Sequence, residues 1–435
     1  MKIRTRIIPS VALMAAIQAC SNAQQLPSAP SSSAAAPRSA GSVAKSRSQG
    51  FSVIYQFSGY QNGEQPEANL TIDAAGNLYG TASLGGYEDY GTVFKITPQG
   101  KETTIYSFNG ANLVQPDADV IMDAQGNLYG VTQSGGGPSP GSGGVYEIKT
   151  DGTEVVLHAF SGGADGNFSF SDLIIDAAGN IYGTASEGGY FKGECAQVGV
   201  GCGVVFKVTP SHKYTVLYAF HGTDGSEPYA GLTMDSGGNL YGTTSFGGKT
   251  GFGTVFKLDP SGHESVLYNF TKGADGGVPV SGVVLDGQHN IYGTTQYGGF
   301  AGNQACDDGC GVVFEVNASG KETILHTFTS TPDGQFPLGT LVLTSSNILY
   351  GTTQYGGTGS KGAGTVYELA TSGKQYHIVH SFMGTNDGSQ PVAGLAIDLQ
   401  QTLAGVTQFG DDNSGEGAVV YSIKQKQSAP ALVHR

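Results

Sequence analysis

One short phrase governs what this chain can fold into. Asn-Leu-Tyr-Gly or Asn-Ile-Tyr-Gly stands at Asn77–Gly80, Asn127–Gly130, Asn180–Gly183, Asn239–Gly242 and Asn290–Gly293. It returns as Ile348-Leu349-Tyr350-Gly351 and, in worn form, as Thr402-Leu403-Ala404-Gly405. Successive glycines are 50, 53, 59, 51, 58 and 54 residues apart. A fixed period of this length marks an array of one supersecondary unit, whose neighbours bury the face that one copy alone leaves bare. The number to explain is seven.

Each copy holds four short runs with strand chemistry. Run a is of the Leu-x-x-Asp type (Leu70–Asp73, Leu232–Asp235, Leu395–Asp398), and run b is the Asn-Leu-Tyr-Gly-Thr phrase. Run c is Gly-Thr-Val-Phe-Lys-Ile or Leu (Gly91–Ile96, Gly253–Leu258), and run d ends in an aromatic (Thr103–Phe108, Ser265–Phe270). Short runs rich in Val, Ile, Tyr, Phe and Thr, punctuated by Gly, Asn, Asp and Pro, read as strands and hairpins. No amphipathic helical period appears in residues 51–435. Four strands per unit of this length match a β-propeller blade. The order of the runs adds a second argument. The repeats open on a run d without partners, Phe51–Phe57, and close on a run c without a d, Ala418–Ile423. Seven complete sets result only if the first strand completes the last blade, which leaves no unpaired edge. An open solenoid would need polar capping repeats, and none is present. The predicted fold is all-β: a single seven-bladed propeller over 51–423, four antiparallel strands per blade, with a tail at 424–435.

The paired Asn-Leu-Tyr-Gly-Thr-Thr and Gly-Thr-Val-Phe-Lys cores resemble the GloVer tandem repeat of secreted bacterial proteins, over essentially all of 51–423. The pattern is also similar to the Asp-x-x-Gly-Asn-Leu-Trp-x-Gly-Thr blades of sensor-type propellers, with Tyr in place of Trp. The resemblance implies a fold and an exported location, and no chemistry.

The leader agrees with export. Lys2, Arg4 and Arg6 precede a short apolar run, and Ile17-Gln18-Ala19-Cys20 places small residues before a cysteine. Residues 1–19 therefore read as a signal peptide. The spacing resembles a bacterial lipoprotein signal, in which Cys20 would be acylated; Gln18 departs from the small residue usual there. The alternative is ordinary cleavage after Ala19 or Ala23. Residues 20–50 hold no acid and no aromatic and are dominated by Ser, Ala, Pro and Gln. Such a stretch cannot bury enough apolar surface to offset its ordering entropy, so it reads as a disordered tether.

Composition enters through charge. Six of the 21 Lys and Arg lie in residues 1–50, leaving 15 against 35 Asp and Glu over 51–435, a net charge of −20. A body that acidic repels phosphate backbones, so nucleic acid is not an expected partner. Membrane contact is expected only through the anchor, and the protein is expected to be a monomer in the envelope, on the outer surface, or otherwise periplasmic or secreted.

The repeated residues read first as structure. An aromatic closes every run d (Phe57, Phe108, Phe160, Phe220, Phe270, Phe328, Phe382), which suits packing between blades. Two residues earlier stand Tyr55, Tyr106, His158, Tyr218, Tyr268, His326 and His380; equivalence to tyrosine makes the three histidines structural rather than catalytic. Asp73 and its counterparts in the a–b turns suit tight hairpins, and their surroundings lack the converging oxygens Ca²⁺ requires.

The b–c and d–a loops share one face of a propeller. Asp-Gly recurs in five d–a loops, at Asp165, Asp224, Asp275, Asp333 and Asp387, and would collect carboxylates around the channel mouth. Before the Gly of the b–c loops stand Leu84, Ser134, Glu187, Phe246, Tyr297, Tyr355 and Phe409. Four aromatics on one arc suit stacking on a sugar or a partner protein, or else pack inward over the adjacent blade. The candidate ligand site is therefore Phe246, Tyr297, Tyr355 and Phe409 with Asp224, Asp275, Asp333 and Asp387. Without Cys20, four cysteines remain, and each pair lies in one lengthened b–c loop, predicting the disulfides Cys195–Cys202 and Cys306–Cys310.

No nucleophile elbow, His-Glu-x-x-His, P-loop or dinucleotide fingerprint is present, and no catalytic residue or metal ligand is assigned. Glu64, Glu67, Glu187, Glu194 and Glu227 fall in loops of the same face without a spacing that singles out a pair. The expected function is an exported, lipid-anchored binding module for a surface polymer, glycan or protein, without a cofactor. The alternative is an extracellular carbohydrate- or lactone-active enzyme using carboxylates, with Ca²⁺ as its conceivable cofactor.

Overall fold

The computed structural model describes residues 50–59, 61–136, 141–299, 306–359, 362–410 and 417–425. The signal segment, Cys20, nearly all of the tether and all but the first residues of the tail lie outside them. Within them are seven four-stranded antiparallel sheets. Blade 1 consists of strand a (Thr71–Ile72), b (Leu78–Ala82), c (Thr92–Ile96) and d (Glu102–Ser107). Blades 2 to 6 repeat that order over 121–159, 174–219, 233–269, 284–327 and 342–381. Blade 7 takes a, b and c from Ala396–Ile397, Thr402–Val406 and Val419–Lys424, and its d from Phe51–Gln56 at the other end of the chain. Phe51 pairs with Ile423 and Gln56 with Val419, antiparallel. The ring closes as predicted. Among the described residues helix is confined to the turn Glu194–Val198 and a 3₁₀ turn at Tyr87–Asp89.

The repeated phrase has a steric cause. Gly80 of strand b lies directly opposite Phe94 of strand c, and a Cβ on Gly80 would stand 2.6 Å from the ring. Gly242 and Gly293 meet Phe256 and Phe314 in the same way. The c-strand ring thus lies across its own sheet and meets the d-strand phenylalanine of the preceding blade. Phe57 meets Phe94 edge-on at 5.2 Å, and Phe108–Tyr146, Phe160–Phe206, Phe220–Phe256, Phe270–Phe314, Phe328–Tyr367 and Phe382–Tyr421 repeat the contact. These seven edge-to-face pairs join the blades, the role predicted for the aromatic of run d. Every c–d pair also carries a bulge at one position, between Val93 and Phe94 in blade 1, which adds twist.

Below the ring, the a–b turns are held by their aspartates. Asp73 accepts from the backbone of Ala75 and Asn77, from the Asn77 amide and from the Tyr79 hydroxyl. The sets at Asp123, Asp176, Asp235 and Asp286 are alike. On the other face, the start of each b–c loop pairs with the d–a connection of its own blade: Glu64 with Leu84, Asn167 with Glu187, Ser226 with Phe246, Gly277 with Tyr297, Gln335 with Tyr355, Ser389 with Phe409. In blade 2 the same contact is a small ribbon, Leu113–Val114 against Ser134–Gly135. The two loop sets therefore do share one face. Both predicted disulfides are formed there, Cys195–Cys202 and Cys306–Cys310.

Candidate binding site at the axial mouth

Between its turn and strand a, each d–a connection sends six residues to the axis: Gln65–Leu70, Gln115–Val120, Phe168–Leu173, Glu227–Leu232, Val278–Val283, Phe336–Leu341 and Gln390–Leu395. The second residue is proline in all but Ser169. The first has a left-handed φ in all seven, between +49° and +58°, although none is glycine. Val278 is β-branched, and so most strained by that φ. Two ladder-like bonds hold the conformation. Val278 donates its N–H to the carbonyl of Phe252 and accepts from the N–H of Gln296.

All seven third residues of these segments, and every fifth residue but Asp119 and Gly394, line an axial cavity of about 110 Å³. The third is Glu67, Asp117, Phe170, Tyr229, Val280, Leu338 and Val392 in turn; the fifth is Asn69, Asp119, Asp172, Gly231, Gly282, Thr340 and Gly394. One sector is therefore carboxyl and amide, and the other is aromatic and aliphatic. Asn69 reaches across the ring, donating its amide to Asp172 at 2.5 Å and accepting from the N–H of Gly394 at 2.5 Å. Gln408 of blade 7 donates to Glu67 at 2.5 Å, while its own buried carbonyl has no partner.

Like faces like in the polar sector. Burial pushes Glu67 up to about 7, against the pull of the Gln408 amide. Burial and then the neighbouring Glu67 charge hold Asp117 well above the carboxylate range. Deeper in, burial and then the charge of Asp172 do the same to Asp119, and burial lifts Asp172 to about 6 despite bonds from Asp119 and Asn69. Farther round, Glu187 and Glu227, each 4% exposed, are both pushed up to about 7, by burial and, at Glu227, by Glu187 as well. Asn167 donates to Glu187 at 2.7 Å and Tyr229 to Glu227 at 3.0 Å. Such groups carry protons near neutrality and can donate as well as accept.

The structure places the predicted site residues differently. Asp224 accepts from the Tyr218 hydroxyl at 2.6 Å and the His221 backbone at 2.7 Å. Asp275 accepts from Tyr268 and the Thr271 backbone, Asp333 from His326 and the Thr329 backbone, Asp387 from His380 and the Met383 backbone. These carboxylates fold back onto strand d, the outermost of the blade, so they sit at the rim and not at the channel mouth. Phe246 and Phe409 are not exposed, at 8% and 5%, because the b–c loop pairs with the d–a connection and turns their rings onto it. Phe246 packs with Tyr229 and Val278. Tyr297 and Tyr355 stay half-buried and flank Phe336, at 5.6 and 6.2 Å between centroids. The arc thus continues the apolar sector of the mouth. Glu67, Glu187 and Glu227 were legible only as loop acids, and Asp117, Asp119 and Asp172 were missed. The recurring proline two residues after a loop break, at Pro66, Pro116, Pro228, Pro279, Pro337 and Pro391, was the signal that aligns them.

Repeat comparison decides the family. The Gloeobacter/Verrucomicrobia repeat matches residues 31–196 and 190–420. The chain belongs to this family. No functionally curated protein matches the chain. Among solved structures, this Gloeobacter/Verrucomicrobia repeat protein is similar to the extracellular domain of a proposed one-component system from B. thetaiotaomicron, at 12% identity and TM-score 0.52. That match covers 88% of this chain and 44% of the other. A gluconolactonase from Xanthomonas campestris matches at 14% identity and TM-score 0.41, over 69% of this chain and 85% of that one. A luciferin-regenerating enzyme matches at 14% and 0.44, over 84% and 92%. At these identities the likeness is one of fold. Among the described residues no group of three or more His, Cys, Asp or Glu is placed to hold a metal ion. No helix among them is long and apolar enough to cross a membrane, and the two formed disulfides fit an oxidising compartment.

Proposed function

We propose that this protein is an exported binding propeller, tethered through an acylated Cys20, that seats a ligand at the axial mouth of its d–a and b–c face. The observation that carries this reading is the third residue of the axial segments, which passes from Glu67 and Asp117 to Phe170, Tyr229, Val280, Leu338 and Val392 around one ring. Polar groups on one wall and apolar groups on the other orient a ligand in a concave site. Tyr297 and Tyr355 extend the apolar wall outward, where a sugar or a peptide side chain would stack. The partner is a surface polymer, glycan or protein, bound by a monomer without a cofactor. The test is a glycan and peptide array probed with the full chain and with the near-isosteric Glu67→Gln/Asp117→Asn variant. A hit retained by wild type and weakened about tenfold or more in the variant is expected. Equal binding by both would overturn the assignment of the mouth.

The Glu187–Glu227 pair favours a second reading. Two carboxyls held near 7, one with a tyrosine donor, suit acid–base work on a carbohydrate or lactone. Hydrolysis of such a substrate by wild type and not by Glu227→Gln would establish it over simple binding.

A further inference from the structure

A larger cavity lies on the opposite face. Blades 2 and 3 enclose a cleft of about 570 Å³ between the a–b turns at Asp123 and Asp176. Its floor is apolar, with Met122, Leu157, Ile175 and Ile181, and its deep wall carries Tyr129 and Glu147. Glu147 is only 7% exposed, and among the described residues no Lys, Arg or His lies within ion-pair distance of it. The Tyr129 hydroxyl stands 3.0 Å from Asp123 and 3.3 Å from Glu147. His212, on the c–d turn, forms part of the cleft wall.

The other blades show what this place ordinarily holds. The strand-c residue opposite the repeat tyrosine is Lys95, Lys207 and Lys257 in blades 1, 3 and 4. Each ammonium lies over its tyrosine, at 5.2 Å from Tyr79, 5.2 Å from Tyr182 and 5.6 Å from Tyr241. In each the tyrosine hydroxyl bonds the turn aspartate, as at Asp123. Blade 2 keeps the aspartate and the tyrosine and replaces the lysine by Glu147, opposite Tyr129. Glu315 and Glu368 take the same place in blades 5 and 6, but there Thr344 stands for one of the two flanking turn aspartates. Among the described residues, only the blade 2–3 cleft combines the glutamate with an aspartate on both walls.

We propose that this cleft binds a primary alkylammonium, with its cation over the Tyr129 ring between Asp123 and Glu147. Its apolar stem would lie along Leu157, Ile175 and Met122. The ligand supplies in trans the group that three other blades supply in cis. A buried carboxylate beside a tyrosine face favours a cation strongly, and the apolar floor selects against hydrated inorganic ions.

The experiment is methyl NMR of the full chain with labelled methionine, because Met122 lies in the cleft while Met234 and Met383 do not. n-Hexylamine is expected to shift the Met122 methyl saturably and to leave those of Met234 and Met383 in place. n-Hexanol is expected to bind about tenfold more weakly or worse, and Glu147→Gln to weaken the amine by a similar factor. Glu147→Lys, which restores the residue of blades 1, 3 and 4, is expected to abolish binding with the fold intact. An Nα-acetyl-lysine amide arm that binds as well as hexylamine assigns the ammonium to a protein side chain; one that fails assigns it to a free amine. Hexanol binding as tightly, an unmoved Met122, or full binding by Glu147→Gln would each overturn the proposal.

Discussion

Sequence varies around this ring at two radii, and the variation differs in kind. At the rim, the residue two before each d-strand Phe meets the first d-strand residue of the next blade. Where that neighbour is glutamate the host is tyrosine: Tyr106 donates to Glu154 at 3.0 Å, and Tyr55, Tyr218 and Tyr268 feel Glu102, Glu264 and Glu322. Where the neighbour is aromatic the host is histidine. His158 stacks on Tyr214 at 3.7 Å, His326 on Tyr376 at 3.8 Å and His380 on Phe51 at 3.8 Å. All seven seams obey the rule, so a change on one side is matched on the other. At the axis amides meet some of the acids, but charge is not matched by charge. Acids neighbour acids at Glu67–Asp117 and Asp119–Asp172, and no described cation balances them. A ring position can change character and still be structural, provided its contact changes with it. Unmatched change is the sign of a group held for something outside the chain.

The largest effect expected comes from breaking a rim seam. Phe51→Glu buries a carboxylate against His380 and removes a ring 5% exposed, and should cost about 3–5 kcal/mol. Adding His380→Tyr rebuilds the tyrosine–glutamate seam of the other four blades and should recover about half of that or more. Denaturant unfolding of the two singles and the double gives the coupling directly. A double variant no more stable than the sum of its parts would end the claim that rim variation is compensated.

Axis and rim should also answer pH with opposite signs. Glu67 holds its proton to about 7 in the folded chain, against a value near 4.5 when unfolded, so the folded state binds more protons between those limits. Stability from this group therefore falls as pH rises from about 4.5 to 7, and the loss is complete above that. At the rim, burial raises Asp165 and Asp387, but hydrogen bonds outweigh it and leave both lowered: Ser161 and His158 at the first, His380 and Met383 at the second. Their stabilisation is present above the ordinary aspartate value and is lost as pH falls through the folded one. Glu67→Gln should thus gain about 1–2 kcal/mol at pH 8, discounted for its partly exposed edge, and almost nothing at pH 4.5. Melting curves of the two chains that stay parallel across this range would show that burial does not hold a proton on Glu67.

Blade number, strand order and ring closure could be read from the residues because each strand repeats its own chemistry seven times. The seam rule was present as well, since Tyr/His and Glu/aromatic alternate in register in the sequence. Radial position was not. The Asp-Gly turns and the axial segments both lie between d and a, and only the fold shows that Asp224 or Asp387 turns back to the outer strand while Glu67 and Asp117 reach the axis. The left-handed φ of Gln65, Glu227 or Val278 also leaves no trace in the residue type, because ladder bonds to the neighbouring loop impose it, not a glycine. Burial of Phe246 and Phe409 follows from the same b–c to d–a pairing, a tertiary contact that local pattern does not encode.

The smallest effect sharpens the rule from its permissive side. At the half-buried seam between blades 1 and 2, one carboxylate oxygen of Glu154 accepts from both Tyr106 and Asn112, the latter at 2.9 Å, while its other oxygen is buried without a partner. Glu154→Gln keeps an acceptor oxygen for Tyr106 and removes only the charge, and should change stability by about 0.5 kcal/mol or less. The Tyr106 phenol, held above its ordinary range by burial and then by Glu154, should ionise at lower pH in the variant, which ultraviolet titration follows. If compensation at the rim depends on the tyrosine hydroxyl finding an oxygen, this exchange is nearly silent in unfolding and visible only in that titration. A loss as large as that of Phe51→Glu would show instead that the seam depends on the charge, and the four tyrosine–glutamate seams would then be electrostatic clamps rather than hydrogen-bonded packing.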